Sequence, residues 1–372
     1  TPILSGDGST VAVYSRDEHV IHVLDGPTGS TVCSIPLQQK VVMNNVSAIP
    51  SITHDGSKIV TRDSTRVRCF DRKGTELWFY DRSDKIPRSG MQSWIAQISA
   101  NGKVVVVRMF HELIWLDGDT GAVTATTSTK RQNATSIPRI SDDGTTVVMC
   151  DATTLTGFVN GKPIWTAKSP YKKNGFGGNH WGDPALSADG SVCAVIGNRN
   201  CHIFDAKTGL QIGQIAEVRH RHHESSCEPS LSANGKTIAV TMQHNRDVAV
   251  WSGPNYATPV MTWHPKGMHH LVAPLLTRDG RHLVGKCAGM ILLFPLGGDV
   301  PGPARAARGM DNTHVPGGET THSQYYHHDR DTHLKRTYSV SNDGALCVAV
   351  TAKHELLAFG VTSDDAQGGA LR

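Results

Sequence analysis

A four-residue turn motif that recurs eight times constrains the fold of this 372-residue chain more than any other feature. Its pattern is Ser or Thr, any residue, Asp or Asn, and then Gly. The successive motif glycines are 48, 46, 42, 46, 45, 45 and 64 residues apart. A near-constant period of this length is the signature of a repeat architecture, so we predict that one structural unit is repeated along the chain. The motif glycines are Gly8, Gly56, Gly102, Gly144, Gly190, Gly235, Gly280 and Gly344.

Each motif lies between segments that have the composition of short β-strands. A run rich in Val, Ile and Thr follows the turn, as at residues 104–107 and 238–241. A second run ends in an aromatic residue or Leu plus a further closing residue, which lies 15 to 17 residues after the motif Gly. Several copies continue through Asp-x-x-Thr-Gly, for example at residues 117–121, into another short strand. The Asp-Gly and Asn-Gly pairs predict type I′ hairpin turns, in which both central residues have positive φ.

Proline adds a second regularity, because it lies six residues before the motif Gly in six of the eight copies. Within a sheet, proline is confined to edge strands, strand starts and bulges, since it has no N–H to donate. We therefore predict that the strand before each turn is an edge strand that is entered at proline. The prolines of this series are Pro2, Pro50, Pro138, Pro184, Pro229 and Pro274.

Four short strands per repeat of about 45 residues match one blade of a β-propeller. The turn motif and the closing aromatic-Asp pair resemble WD40-like and YVTN repeats, and residues 70–78 are similar to quinoprotein-like repeats. This resemblance covers almost the whole chain and implies a fold, not an activity. The predicted fold is all-β, a single eight-bladed β-propeller domain over residues 1–372 with four-stranded antiparallel blades. For the last blade three alternatives stay open: a fourth strand from residues 363–372, a three-stranded blade, or completion by residues upstream of Thr1.

Twelve of the 20 His residues fall in four consecutive connections between the predicted blades. The repeat register places these connections on one face, and loops on a rigid scaffold are where binding residues gather. Imidazole is a good ligand for copper, zinc, nickel or iron, but the spacings match no established zinc pattern. We expect no cofactor, and a transition metal bound by His is the alternative. Its ligands would be His222, His223, His269, His270, His327 and His328.

Two segments add candidate binding residues to this face. Residues 301–336 lengthen the connection between repeats seven and eight by about 19 residues, and a long loop in a compact domain is usually functional or disordered. We interpret this insertion as a lid or partner-binding loop, and a surface loop with no binding role is the alternative. Residues 174–183 are rich in Gly and are expected to form a turn that caps the channel mouth. The candidate binding residues are His180, Trp181, Asp183, His222, His223, Glu224, His264, His269, His270, Tyr325 and Tyr326.

The motifs of common enzyme classes are absent from the sequence, including the G-x-S-x-G elbow, the Walker A loop and the H-E-x-x-H helix. We therefore assign no catalytic residues and do not expect an enzyme. The leading hypothesis is a non-catalytic scaffold for protein interaction or self-assembly that binds through the His-rich face. The first alternative is a metal- or quinone-dependent oxidoreductase of quinoprotein-like fold. The second is a structural subunit of an extracellular or cell-surface assembly.

Charge, hydropathy and cysteine usage narrow the partner and the compartment. A net charge of +4 does not single out nucleic acid or a membrane surface as the partner. The longest apolar runs, such as residues 290–296, are much shorter than the roughly 20 residues of a membrane helix. Most of the eight Cys lie in strand-like runs, where a free Cys acts as a small hydrophobe. This usage favours the cytoplasm, and an extracellular location is the alternative.

Overall fold

In the computed structural model, every helix or strand assigned to the described residues is a β-strand, and the 31 strands form eight antiparallel sheets. Seven sheets have four strands and the eighth has three. Within each sheet the spatial order of the strands follows the chain, so the first strand lies at one edge and the last at the other. The structure describes residues 2–15, 18–37, 50–63, 66–82, 95–109, 112–129, 137–151, 153–170, 181–197, 199–218, 228–242, 247–263, 272–287, 290–296, 305–307, 338–341, 346–350 and 356–360.

Sheets 1 to 4, numbered in chain order, contain four strands each. Sheet 1 has β1 (Pro2–Leu4), β2 (Thr10–Ser15), β3 (Val20–Asp25) and β4 (Thr31–Pro36). Sheet 2 has β5 (Ser51–Ile52), β6 (Lys58–Asp63), β7 (Arg66–Asp71) and β8 (Glu76–Asp81). Sheet 3 has β9 (Ile95–Ile98), β10 (Val104–Met109), β11 (Glu112–Asp117) and β12 (Val123–Ser128). Sheet 4 has β13 (Arg139–Ile140), β14 (Thr146–Asp151), β15 (Thr154–Val159) and β16 (Lys162–Lys168).

Sheets 5 to 8 continue the same arrangement. Sheet 5 has β17 (Ala185–Leu186), β18 (Val192–Gly197), β19 (Asn200–Asp205) and β20 (Gln211–Ile215). Sheet 6 has β21 (Ser230–Leu231), β22 (Thr237–Thr241), β23 (Val248–Ser252) and β24 (Pro259–Trp263). Sheet 7 has β25 (Val272–Leu276), β26 (His282–Cys287), β27 (Met290–Pro295) and β28 (Arg305–Ala307). Sheet 8 has β29 (Tyr338–Val340), β30 (Leu346–Val350) and β31 (Leu356–Gly360).

In sheets 1 to 7 the repeated motif closes the first hairpin, in a conformation that differs from the predicted one. The Ser5 hydroxyl donates to Asp7 Oδ1 (2.7 Å) and accepts from the Thr10 N–H (2.9 Å), and the Gly8 N–H donates to the Ser5 carbonyl (3.0 Å). Of these turn residues only the glycine has positive φ, 74° at Gly8, and the six other described copies agree. The predicted type I′ turn is therefore wrong. The motif is a four-residue turn that ends in Gly, the residue that type I turns favour at that position.

Backbone hydrogen bonds join neighbouring turns to one another. The His54 N–H donates to the Ala100 carbonyl (2.9 Å), and the Ala233 N–H donates to the Arg278 carbonyl (2.7 Å). Arg278 of the sheet 7 turn also forms an ion pair with Asp142 of the sheet 4 turn, so the series of turns curves back on itself. We call these seven turns the turn row; they are residues 5–8, 53–56, 99–102, 141–144, 187–190, 232–235 and 277–280.

The first strand of each sheet lies at an edge, which confirms the interpretation of the proline series. Strands β5, β13, β17 and β21 each begin directly after their proline. Pro274 lies inside β25, at the point where the pairing of β25 with β26 shifts register. All of these are positions where the missing N–H costs no bond of a regular ladder.

The core lies between neighbouring sheets, where β-branched side chains of the second and third strands meet. Between sheets 2 and 3, for example, Val60 packs in one buried cluster with Val105 and Val107. The Asp-x-x-Thr-Gly turn extends this packing outward, because Gly121 of sheet 3 seats the Trp78 ring of sheet 2. A Cβ at Gly121 would lie 2.6 Å from that ring, and the Trp78 Nε1 donates to the Gly118 carbonyl (3.1 Å).

The end of the chain differs from the regular pattern. Sheet 8 holds three strands among the described residues, and residues 361–372 lie outside them, so the alternatives for the last blade stay open. Within the insertion at 301–336, Arg305–Ala307 forms β28 and completes sheet 7 as its fourth strand. The remaining residues of the insertion lie outside the described part of the chain.

Candidate binding face

The connections between consecutive sheets enter the first strands at the ends opposite the turn row. We call this side the connection face; among its described residues, 137–139, 181–184 and 228–229 lead into sheets 4, 5 and 6. Of the predicted binding residues, Trp181 and Asp183 lie here. The others lie outside the described residues: His180, His222, His223, Glu224, His264, His269, His270, Tyr325 and Tyr326, together with the predicted metal ligands His327 and His328.

Arg139, the first residue of β13, holds the ends of two connections. Its Nε donates to the Pro184 carbonyl (3.0 Å), where the connection enters sheet 5. Its Nη2 donates to Glu228 Oε2 (2.9 Å), where the next connection enters sheet 6. The side chains of Arg139 and Glu228 are 28% and 15% exposed, so this ion pair is only partly screened by water. One guanidinium thus ties two of the His-bearing connections to the rim of sheet 4.

Asp183 adds a third connection to the same network. Its Oδ1 accepts from the Ile137 N–H (3.4 Å), at the end of the connection that enters sheet 4. The buried guanidinium of Arg108, on β10, lies in the field of this carboxylate and of Asp151. Burial lowers the pKa of Arg108, and the two carboxylates oppose that shift because they favour its charged form. Two arginines and three carboxylates therefore lie together where sheets 3 to 6 meet the connection face. They are Arg108, Arg139, Asp151, Asp183 and Glu228.

Trp181 lies beneath this polar layer, in the hydrophobic core between sheets 4 and 5. Its side chain is 6% exposed and packs in one cluster with Cys150 and Phe204. Its ring centroid is 5.1 Å from that of His202, edge to face. Burial lowers the pKa of His202, partly countered by a hydrogen bond with the Gln211 side chain, so the imidazole is neutral at pH 7. The indole thus anchors residues 181–184 to the sheets.

Hydrogen bonds and ion pairs hold the described residues of this face in place, and the described cysteines are not activated nucleophiles. The buried thiols have raised pKa values, about 12 for Cys69, because burial disfavours the thiolate. Within the described ranges no group of three or more His, Cys, Asp or Glu could hold a metal ion. All of the predicted metal ligands lie outside those ranges.

Arg139 and Arg108 were not among the residues predicted for the site. A signal for Arg139 was available in the repeat register. The position after the series proline holds Ile3, Ser51, Ala185 and Ser230 in other copies, so a long cation at position 139 departs from the pattern. No comparable signal identifies Arg108, because its neighbours Asp151 and Asp183 come from other sheets.

Comparison with known proteins gives the family. The profile of a family described as outer membrane protein assembly factor BamB matches residues 1–149 and 63–262 of the chain. The chain belongs to this family. Its repeats are β-propeller repeats of the quinoprotein-like, WD40-like type, which confirms the resemblance noted in the sequence. No curated protein matches the chain significantly.

Solved structures agree on the fold. The crystal structure of BamB from Moraxella catarrhalis matches with a TM-score of 0.60 and 16% identity, covering 96% of this chain and 95% of that one. A chain of the mitotic checkpoint complex matches with a TM-score of 0.54 and 17% identity, covering 77% and 82%. At these identities the likeness shows the β-propeller fold alone. Among the described residues there is no helix that could span a lipid bilayer.

Proposed function

We propose that this chain is a non-catalytic scaffold of eight blades that binds a protein partner through the connection face and supports the assembly of other proteins. The family description, an assembly factor, supports the assembly role. The contact of β1 with both β5 and β29 supports one closed ring, because the first sheet then touches the second and the eighth. The pairing of Arg278 with Asp142 across the turn row fits the same closure.

The assignment of the binding surface rests on Arg139, which anchors the ends of two connections. Loops bind a partner tightly when their ends are held, because less conformational entropy is lost on binding. Arg139 and Asp183 together fix the ends of three connections (Ile137, Pro184 and Glu228) within one polar network. The proposed contacts are the sequence candidates His180, Asp183, His222, His223, Glu224, His264, His269, His270, Tyr325 and Tyr326. Trp181 is buried, so its proposed role is to anchor the connection and not to touch the partner.

Site-specific photocrosslinking tests this assignment. A photoreactive residue would replace His222 or Tyr325 on the proposed face, and as a control Lys103, whose side chain beside the turn row is 64% exposed. In cells that naturally make the protein, we expect discrete protein adducts from the first two positions and none from the third. Arg139→Ala should reduce the adduct at position 222 severalfold, and Arg139→Lys should reduce it less, since lysine keeps one charged donor. Adducts from position 103 alone would contradict the proposal.

Analysis of the purified, untreated protein distinguishes a scaffold from an enzyme. We propose no resident cofactor, so elemental analysis and an absorption spectrum of untreated protein should give no stoichiometric metal and no chromophore. A bound metal that is lost in His222→Ala or His269→Ala would instead favour the oxidoreductase alternative. Substrate turnover that these changes abolish would do the same.

A further inference from the structure

A serine, a histidine and a glutamate form one hydrogen-bonded chain on sheet 1. The Nδ1 atom of His22, on β3, lies 3.0 Å from the Oγ atom of Ser34, on β4. The Nε2 atom of the same ring lies 2.7 Å from Glu18 Oε2. A hydroxyl beside an imidazole that a carboxylate orients is the arrangement that activates a serine as a nucleophile. Ser34 therefore has the neighbours that such activation requires.

The carboxylate of Glu18 decides which ring nitrogen of His22 carries the proton. A carboxylate only accepts hydrogen bonds, so Nε2 is the donor of the neutral ring. Nδ1 then keeps its lone pair and accepts from the Ser34 hydroxyl. The side chains of His22 and Glu18 are 34% and 61% exposed, so a dissolved reagent can reach them and water weakens their pairing. His22 is therefore placed to take the hydroxyl proton when Ser34 attacks an electrophile.

The strand pairing turns the Ser34 N–H toward the outer edge of sheet 1. The Leu37 N–H donates to the His19 carbonyl (2.9 Å), so these two residues face each other in a hydrogen-bonded pair. Such pairs alternate along an antiparallel ladder, and His22 with Ser34 is therefore a non-hydrogen-bonded pair. In a pair of this kind the side chains are close and the main-chain groups point away from the partner strand. Because β4 is the outer strand of sheet 1, the Ser34 N–H is available to stabilise an oxyanion.

The equivalent cross-strand pairs of sheets 2 to 7 lack this combination. They are Arg68 with Phe79, Ile114 with Thr126, Thr156 with Thr166, His202 with Gln214, Ala249 with Thr262 and Leu292 with Ala306. A hydroxyl recurs on the outer strand, but among these described pairs only Ser34 faces an imidazole. His202 faces an amide and is 4% exposed, so it has neither a hydroxyl partner nor access to solvent. The arrangement is therefore particular to sheet 1 and is not part of the repeated framework.

We propose that Ser34 is a modification site, a reactive serine that is acylated by an activated carboxylic ester. In this step the Ser34 Oγ attacks the carbonyl carbon, and its proton passes to His22 Nδ1. The carbonyl oxygen becomes an oxyanion, which the Ser34 N–H stabilises. The bond from the carbon to the leaving oxygen then breaks, and that oxygen takes the proton from His22 Nδ1. The products are an acyl ester on Ser34 and a free alcohol, and His22 is restored. This inference goes beyond the proposed scaffold role.

The activated ester p-nitrophenyl acetate tests the proposal on the full chain. Peptide mass spectrometry follows the acetyl group on each serine, and the absorbance of released p-nitrophenol gives the total rate. We expect Ser34 to be acetylated about tenfold faster, or more, than Ser128, an exposed serine on β12 that faces Glu112 and no His. His22→Gln should slow acetylation of Ser34 about tenfold, because the general base is lost. Glu18→Gln should slow it less, since water already weakens that pairing.

Four results would overturn the proposal: no acetyl group on Ser34, equal rates at Ser34 and Ser128, an unchanged rate at Ser34 in His22→Gln, or undiminished release of p-nitrophenol by Ser34→Ala. The last would make the imidazole the nucleophile in place of the hydroxyl. The matched variant Ser128→Ala should be acetylated at Ser34 as the wild type is. None of these side chains lies in the core, and thermal unfolding confirms that each variant is folded before rates are compared.

Discussion

The turn row and the connection face lie at opposite ends of the same strands and follow different rules. In the turn row the same hydroxyl makes the same bond to Asp or Asn in seven turns, from Ser5 through Thr277. On the connection face, the position that holds Arg139 in one repeat holds Ser51 or Ala185 in others. The repeated side builds the scaffold, and the varied side distinguishes one sector from the next.

The difference has a physical cause. A turn is closed by residues within five positions of one another, so each repeat satisfies it alone, as Ser187 and Val192 do (2.9 Å). The network on the connection face joins residues as far apart as Arg139 and Glu228. Such a network forms only after several sheets have packed, because each sheet supplies one part of it. Changes in the turn row should therefore cost stability, and changes on the connection face should cost binding.

The largest expected effect comes from filling a turn glycine. Gly235 has a φ of +66°, and a Cβ there would lie 2.5 Å from Val192 Cγ2. Gly235→Ala adds a left-handed Ala, at about 1–2 kcal/mol, to overpacking against a stiff side chain. We expect a loss of roughly 3 kcal/mol in the free energy of unfolding, measured by urea denaturation.

The matched control lies on the connection face. A Cβ at Gly182 would meet only the Ile196 carbonyl oxygen at 3.4 Å, and Gly182 has no positive φ. Gly182→Ala should therefore change the free energy of unfolding by less than about 1 kcal/mol. Equal losses in the two variants would remove the distinction between the two ends.

A smaller effect is expected from the turn hydroxyl. Ser187 is 1% exposed, donates to Asp189 Oδ1 (2.6 Å) and accepts from the Val192 N–H (2.9 Å). Ser187→Ala leaves that buried N–H without its partner, which should cost about 2 kcal/mol in thermal or urea unfolding. Ser187→Thr should be nearly neutral, because Thr53 and Thr277 occupy the same position in other copies. A destabilised Thr variant would contradict this account of the motif.

The smallest effect is a difference in pH dependence between the two ends. His202 has a lowered pKa in the folded protein, so below its ordinary value of 6.5 the unfolded chain binds the proton more readily. Above pH 6.5, His202 does not lower the free energy of unfolding. As the pH drops below 6.5, the free energy of unfolding falls by at most about 1.4 kcal/mol per pH unit. His202→Gln should remove this loss between pH 7.5 and pH 5, followed by urea unfolding at each pH.

The turn carboxylates titrate in a lower window. Burial raises the pKa of Asp189, but its hydrogen bonds from Ser187 and Ser191 lower it by more, so the net shift is downward from 3.8. The ionised Asp189 carboxylate therefore adds to the free energy of unfolding above pH 3.8. This stabilisation is lost as the pH falls through the lowered pKa of Asp189 in the folded protein. Asp189→Asn, the residue found at Asn101 and Asn234, should reduce the loss below pH 4 and leave the loss near pH 6 unchanged. If His202→Gln and Asp189→Asn changed the free energy of unfolding in the same pH range, the two ends would not differ in their pH dependence.

The repeat was predictable because its signals are local. Turn Gly, series Pro and strand run recur at fixed offsets, and the structure places a sheet at each of the eight predicted repeats. The turn type was not predictable from the Asp-Gly pair, because that pair fits both a type I′ turn and a longer turn with Gly last. The Ser or Thr two residues before Asp decides the matter, since its hydroxyl replaces a strand hydrogen bond. Trp181 was predicted as a binding residue from an unusual loop, and the structure buries it against His202.

By itself the sequence determined the number of repeats, the order of strands within each and the edge position of the proline strands, because these depend on contacts within a few residues. Only the tertiary structure decided which residues meet between sheets. Arg139 with Glu228 and Arg278 with Asp142 both depend on how separate sheets pack. No local pattern encodes such contacts, because the partners are brought together by the curvature of the whole array.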